Sequence, residues 1–148
     1  MRLADELAVQ VLRRGASLRI KARGGSMLPF LLDGDVALVM PAAGTEISVG
    51  DVICYETPPG RLFLHRVIGR KRERFVAKGD ALAFTDLIDP GQVLGKVVAV
   101  QRRGSVKRLD TRIGGWRNRA IAAVSGLIPV PIALAIRVRR IVRAALRG

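Results

Sequence analysis

Between residues 17 and 101 the chain is cut every few residues by a turn former, and this limits what it can become. Short apolar runs at 18–22, 36–40, 51–55, 62–69, 74–77 and 93–101 are separated by Asp33-Gly34, Pro58-Pro59-Gly60 and Asp89-Pro90-Gly91. Glycine there tolerates positive φ and proline fixes φ, so these segments reverse the chain before a long helix could form. Many short strands with turn chemistry between them predict an all-β core. Aromatic residues are only 4% of the sequence, so that core has to be built from Val, Leu, Ile and Ala. At 148 residues there is room for one compact domain and an appendage.

Two segments depart from the β texture. In residues 1–16, Leu3, Leu7 and Val11, with Ala8 and Leu12 nearby, recur at helical spacing. Asp5 and Glu6 lie in the first turn and Gly15 follows Arg13-Arg14, which predicts one short amphipathic helix. It has neither the apolar run of a secretory signal nor that of a membrane span. The other segment, residues 111–148, is a basic, apolar tail. Its 17 residues from 120 to 136 carry no charge. Arg117 and Arg119 precede this run, and Arg137, Arg139, Arg140 and Arg143 follow it. At ~1.5 Å per residue one straight helix falls short of a hydrocarbon core of roughly 30 Å, and Pro129 and Pro131 oppose a straight helix. Two short helices forming a shallow hairpin or lying in a membrane interface, with arginines on anionic headgroups, are the expectation, against the alternative that the run packs on the β core or on another copy.

The formal net charge of +14 is distributed unevenly. Residues 1–100 hold 14 Lys/Arg against 11 Asp/Glu, whereas residues 101–148 hold 12 against Asp110 alone. A nucleic-acid binder of this charge would interleave aromatics or spread its cations over one face. Here Trp116 is the only aromatic of the tail and the cations flank an apolar run, so the pattern favours an anionic membrane over nucleic acid. Cys54 is the only cysteine and His65 the only histidine. No intramolecular disulfide can form, and the clustered Cys/His pattern of zinc sites is missing. No phosphate-binding loop or dinucleotide fingerprint occurs, so neither a cofactor nor a metal is expected. Cys54 lies in an apolar run and reads as a small buried hydrophobe, not a nucleophile.

Three polar positions remain. Gly24-Gly25-Ser26-Met27-Leu28-Pro29 could present Ser26 with its own N–H open to an oxyanion, although taken alone it is a plain turn. His65 interrupts an apolar strand, where a hydrogen-bonded core histidine is the ordinary reading. Lys78-Gly79-Asp80, with Asp86 six residues on, is a polar turn. Together they supply a hydroxyl, a base that titrates near neutrality, and an acid to hold the base, in the form of Asp80 or Asp86.

In four ordered blocks over residues 20–102 the sequence resembles the type I signal peptidases and their S24/S26 serine-peptidase relatives. Ser26-Met27-x-Pro29 is similar to the nucleophile box and Gly50-Asp51-Val52-Ile53 to the strand that follows it. His65-Arg66-Val67-Ile68-Gly69 is similar to the general-base box, and Lys78-Gly79-Asp80 with Asp86 to the acidic box. Histidine at position 65, where the bacterial branch usually has lysine, matches the archaeal and endoplasmic-reticulum branch. The resemblance implies a coiled antiparallel β-sheet peptidase domain over residues 17–110. It further implies Ser26 as nucleophile, His65 as general base and Asp86 as orienting acid with Asp80 in support. Gly25, Met27, Pro29, Arg66, Lys78 and Gly79 support the site, and the Ser26 N–H is one oxyanion donor. Substrate would pair as an added strand and be cut after small residues. The sequence departs from the family at Gly24, where many members carry a serine that helps the oxyanion, and in the absence of asparagines after Gly79-Asp80. Residues 1–16 do not read as the membrane anchor that family members usually carry before the nucleophile box, so none is expected there. The expected function is therefore a membrane-associated signal or leader endopeptidase. The alternatives are a self-cleaving S24-type regulator, which ordinarily uses a lysine base, and a non-enzymatic basic module binding nucleic acid or membrane.

Overall fold

A computed structural model describes residues 2–109 together with Ala120. The remainder of the basic tail, including the rest of the apolar run and its flanking arginines, lies outside the described residues. Among those described, the elements in chain order are α1 (Arg2–Arg13), β1 (Leu18–Lys21), β2 (Val36–Pro41), β3 (Val52–Thr57), β4 (Arg61–Lys71), β5 (Arg74–Lys78), β6 (Asp86–Ile88), β7 (Val93–Arg102) and β8 (Ser105–Arg108). Single 3₁₀ turns at Gly44–Glu46 and Pro90–Gln92 complete them. The eight strands form one open antiparallel sheet in the order β1-β2-β7-β3-β4-β5-β6, with β8 on β7. Because β7 is ten residues long, β3 pairs with its first half and β8 with its second, both on the side away from β2.

Side chains alternate between the faces of a strand, so β3 sends Val52 and Cys54 one way and Ile53 and Tyr55 the other. All four are at most 1% exposed, because each face carries a core. The first core gathers Val9 and Leu12 of α1, Met27 and Leu31 from the β1–β2 connection, and Val39, Val52, Cys54 and Val100 of the sheet. The second consists of Ile47, Ile53, Tyr55, Val67, Phe75, Ala77 and Ile88. α1 is therefore part of the main domain's packing. It buries Val9 and Leu12, while Leu3 and Leu7 of the expected apolar face stay exposed. Gly15, at φ +82°, ends the helix in a conformation that suits glycine. No helix among the described residues is long and apolar enough to cross a membrane.

The sequence pattern did not indicate two of the strands. β6 has three residues, too few to show a period, and β8, Ser-Val-Lys-Arg, is exposed throughout, so nothing makes it alternate. β8 exists because Arg103 and Gly104 both adopt positive φ and turn the chain back on β7, the geometry of a tight hairpin.

The most deeply buried polar contact joins β4 to the segment after β5. The fully buried Arg66 donates from Nε and Nη2 to the two Asp80 carboxylate oxygens, 2.8 Å each, and from Nη1 to the Gly50 carbonyl at 2.9 Å. Its guanidinium carbon lies 4.5 Å from the centre of the Phe30 ring. Removing one partner of such a pair strands a charge in the core. Asp80→Ala is therefore expected to cost about 3–5 kcal/mol in urea unfolding, and Arg66→Met/Asp80→Ala less than Asp80→Ala alone. A double variant weaker than the single one would contradict this assignment.

Candidate active site

Ser26 lies in the connection between β1 and β2, which is closed at its base. Ala22 N donates to the Asp35 carbonyl at 2.7 Å and Gly34 N to the Ala22 carbonyl at 2.9 Å. Within the loop, Gly24 N donates to Asp33 Oδ1 at 3.0 Å and Leu31 N to the Met27 carbonyl at 2.9 Å. Met27 and Leu31 are buried anchors, whereas Gly25 and Pro29 face solvent. Arg102 of β7 clamps the far side, donating to the Asp35 carboxylate and to the Phe30 carbonyl. That hydrogen bonding outweighs burial and holds the Asp35 carboxyl below its ordinary value.

The Ser26 main chain is held against the segment that follows β5. Ala81 N donates to the Ser26 carbonyl at 2.9 Å. A Cβ on Gly79 would lie 2.6 Å from that same carbonyl oxygen, so the close approach requires glycine. β5 pairs with β4 as far as Lys78 opposite Arg66 and no further. Residues 61–65 of β4 therefore run on beyond β5, with the Ser26 segment beside the point where pairing stops. Lys78 is itself buried.

His65 is 4% exposed and shares its face of the sheet with Tyr55 and Phe63. Its Nδ1 lies 3.0 Å from Asp86 Oδ2 and 2.8 Å from the Tyr55 hydroxyl, and that hydroxyl is 2.9 Å from the same Asp86 oxygen. Asp86 comes from the short edge strand β6, opposite Ala77. Ala77 has only a methyl group at the intervening position, so the carboxylate can reach across β5 to β4. Burial pushes His65 below its ordinary value, against the raising pull of Asp86 and, at longer range, Asp80. The Tyr55 hydroxyl is pushed far up, by burial first and then by Asp86. Among the described residues no hydrogen bond joins the Ser26 hydroxyl to His65.

The two acids that the sequence offered as alternatives thus have different partners, Asp86 on His65 and Asp80 on Arg66. Ser26 lines a groove of about 620 Å³ bounded by Leu7 and Val11 of α1, Leu18 and Ile20 of β1, and Leu62 and Leu64 of β4. Cys54 lies under its floor, its thiol pushed up to about 12 mainly by burial, with the Asp5 charge adding. Sequence reasoning missed Tyr55 because it sits in an apolar run. A buried tyrosine needs a partner for its hydroxyl, and that was the available signal. The Arg102–Asp35 clamp, 67 residues apart in the chain, gave no signal. No protein-family model matches this chain, and neither does any curated protein.

The histidine's downward shift has a defined consequence. Between its folded value and 6.5 the unfolded chain binds a proton that the native chain does not, so stability falls as pH drops through 6.5. An NMR titration of the single histidine should show a midpoint below 6.5. Asp86→Asn should lower it further by removing the carboxylate's attraction. A wild-type midpoint above 6.5, or an upward move in the variant, would contradict the environment described.

Proposed function

We propose that this chain is a serine endopeptidase of the signal-peptidase type, its coiled antiparallel β domain cutting a signal or leader segment after small residues. The observation that carries this reading is the pair of the buried His65 with Asp86 beside the pairing stop where the Ser26 loop is held. Serine is a weak nucleophile until a base takes its proton, and His65, kept neutral by burial, is available for that at neutral pH. Its Nδ1 faces Asp86, which leaves Nε2 as the base. The Ser26 hydroxyl attacks the scissile carbonyl as its proton passes to Nε2, and Asp86 stabilises the imidazolium that results. His65 then protonates the departing amine, and a water deprotonated by the same nitrogen releases the acyl group from Ser26. The Ser26 N–H is one oxyanion donor. This mechanism requires the hydroxyl and the imidazole to close on each other in the substrate complex, and such bonds are commonly loose before substrate binds.

The groove supports an extended peptide. One wall is the part of β4 that has lost its β5 partner, and another is β1, which pairs only with β2. A peptide added along such an edge gains main-chain hydrogen bonds that do not depend on its sequence, and shallow pockets then select small side chains. A fluorogenic peptide series with Ala, Gly or Ser directly before the scissile bond tests the reading. Wild-type protein should cleave it, and Ser26→Ala, with an unchanged melting temperature, should lose activity by at least roughly a thousandfold. Cleavage retained by folded Ser26→Ala would sink the mechanism.

Residues 117–143 supply the location in this proposal, with arginines on both sides of an uncharged stretch resting on an anionic membrane. Full-length protein should float with vesicles containing an anionic phospholipid, less so with neutral ones, and salt should weaken the association. Equal flotation with neutral vesicles, or none with either, would remove the electrostatic anchor.

A further inference from the structure

The proposed triad leaves unexplained why a buried tyrosine hydroxyl sits between its base and its acid. Tyr55 is 1% exposed, in a central strand that pairs on both sides, and its ring stacks on Phe63 with centroids 5.8 Å apart. The phenol is therefore fixed by packing. Asp86 is less constrained, since it comes from a three-residue edge strand and its side chain is 36% exposed.

We infer that Tyr55 is a positioning residue that sets the His65 tautomer by holding Asp86 in place and presenting its phenol oxygen to Nδ1. This rests on the peptidase reading for its purpose but on the geometry alone for its substance. The hydroxyl has one proton and two neighbours, Asp86 Oδ2 at 2.9 Å and His65 Nδ1 at 2.8 Å. An ionised carboxylate is the stronger acceptor, so the proton goes to Asp86. The phenol oxygen then turns lone pairs towards Nδ1, which faces two acceptors at once, the phenol oxygen and the carboxylate at 3.0 Å. A bare Nδ1 would meet only lone pairs, so the ring carries its proton there and leaves Nε2 unprotonated. Asp86 alone, partly solvated at the sheet edge, could swing into water and let the imidazole reverse its tautomer. Tyr55 supplies a second, immobile contact to both groups and prevents that.

The chain has one histidine and one tyrosine, so the test can be read without ambiguity. Long-range proton–nitrogen NMR of nitrogen-15-labelled full-length protein, above the histidine midpoint, should show the Nδ1–H form. Tyr55→Phe keeps the ring and its stacking but lacks the hydroxyl. In folded variant protein the Nε2–H population should rise by roughly tenfold, as the loss of one such hydrogen bond allows. On a cleavable peptide kcat should fall by roughly ten- to a hundredfold with KM unchanged, the size known for outer partners of metal-bound histidines. If Tyr55→Phe fails to fold, replacing the sole tyrosine with 3-fluorotyrosine makes the hydroxyl a stronger donor with little change in shape, and the His65 Nδ1–H resonance should move. A wild-type Nε2–H tautomer, an unchanged tautomer in folded Tyr55→Phe, or an unmoved resonance with fluorotyrosine overturns the assignment. The spectra need no substrate, so lack of peptidase activity would count against the proposed function and leave this inference to be judged on its own.

Discussion

Arg66 is the group around which the rest of the structure has to be arranged. A fully buried guanidinium is tolerable only if its donors are met, and here it takes both Asp80 oxygens, the Gly50 carbonyl and the face of Phe30. These partners come from segments separated by up to 50 residues. Satisfying one cation therefore brings the Ser26 loop, the turn before β3, the middle of β4 and the end of β5 to one place. Backbone bonds complete the junction, with Gly50 N donating to the Val67 carbonyl and Val67 N to the Asp51 carbonyl. The alternation of β4 does the rest. With Arg66 committed to one face, His65 must turn to the other, where Tyr55 lies, and Asp86 reaches it from the sheet edge.

The same arrangement gives two carboxylates of one turn region opposite electrostatic tasks. Asp80 is consumed in neutralising Arg66 and contributes to His65 only at longer range, whereas Asp86 lies directly against the imidazole. Burial favours neutral histidine and Asp86 favours the imidazolium, so the ring is neutral at rest and has a counter-charge in place when it takes a proton. Cys54, one residue from Tyr55 but on the opposite face, is excluded from this network and has an ordinary core environment.

Much of this was legible in the sequence, for reasons that differ between elements. The runs at 18–22, 36–40, 51–55, 62–69, 74–77 and 93–101 became strands because turn formers bound them and at least one face is buried. β6 and β8 were invisible because three residues show no period and a wholly exposed hairpin arm has no apolar face. Leu3 and Leu7 have helical spacing, yet they stay exposed while Val9 and Leu12 are buried, because spacing defines a stripe but not how far the sheet beneath it extends. At the candidate site, residue types singled out Ser26, His65 and the two acids, of which the structure joins Asp86 to His65. The partition of Asp80 to Arg66 and Asp86 to His65 depends on strand register, which a single sequence does not carry. Tyr55 was hidden because its hydroxyl acts across β4 from a position that alternation marks only as core.

The charge imbalance also acquires a physical meaning once the acids of the sheet are traced. Asp35 is taken by Arg102, Asp80 by Arg66, Asp89 by Arg74, Glu56 by Arg13, and Asp86 by His65. Asp33, Glu46 and Asp51 accept main-chain N–H groups at turns, and Asp51 also lies 3.6 Å from Lys96. Eight of the 11 acids in residues 1–100 are thus engaged, one of them by Arg102, while the other 11 Lys/Arg of residues 101–148 share that stretch of sequence with Asp110 alone. The sheet has few carboxylates left with which to neutralise such a segment. Folding has already used its negative charge on ion pairs and turns within the sheet, among them the Asp33 and Asp35 contacts that hold the Ser26 loop and the Asp86 contact to His65. The counter-charge for most of the basic segment therefore has to come largely from outside the sheet, which is the physical ground for our proposal that this segment serves location and the near-neutral sheet the chemistry.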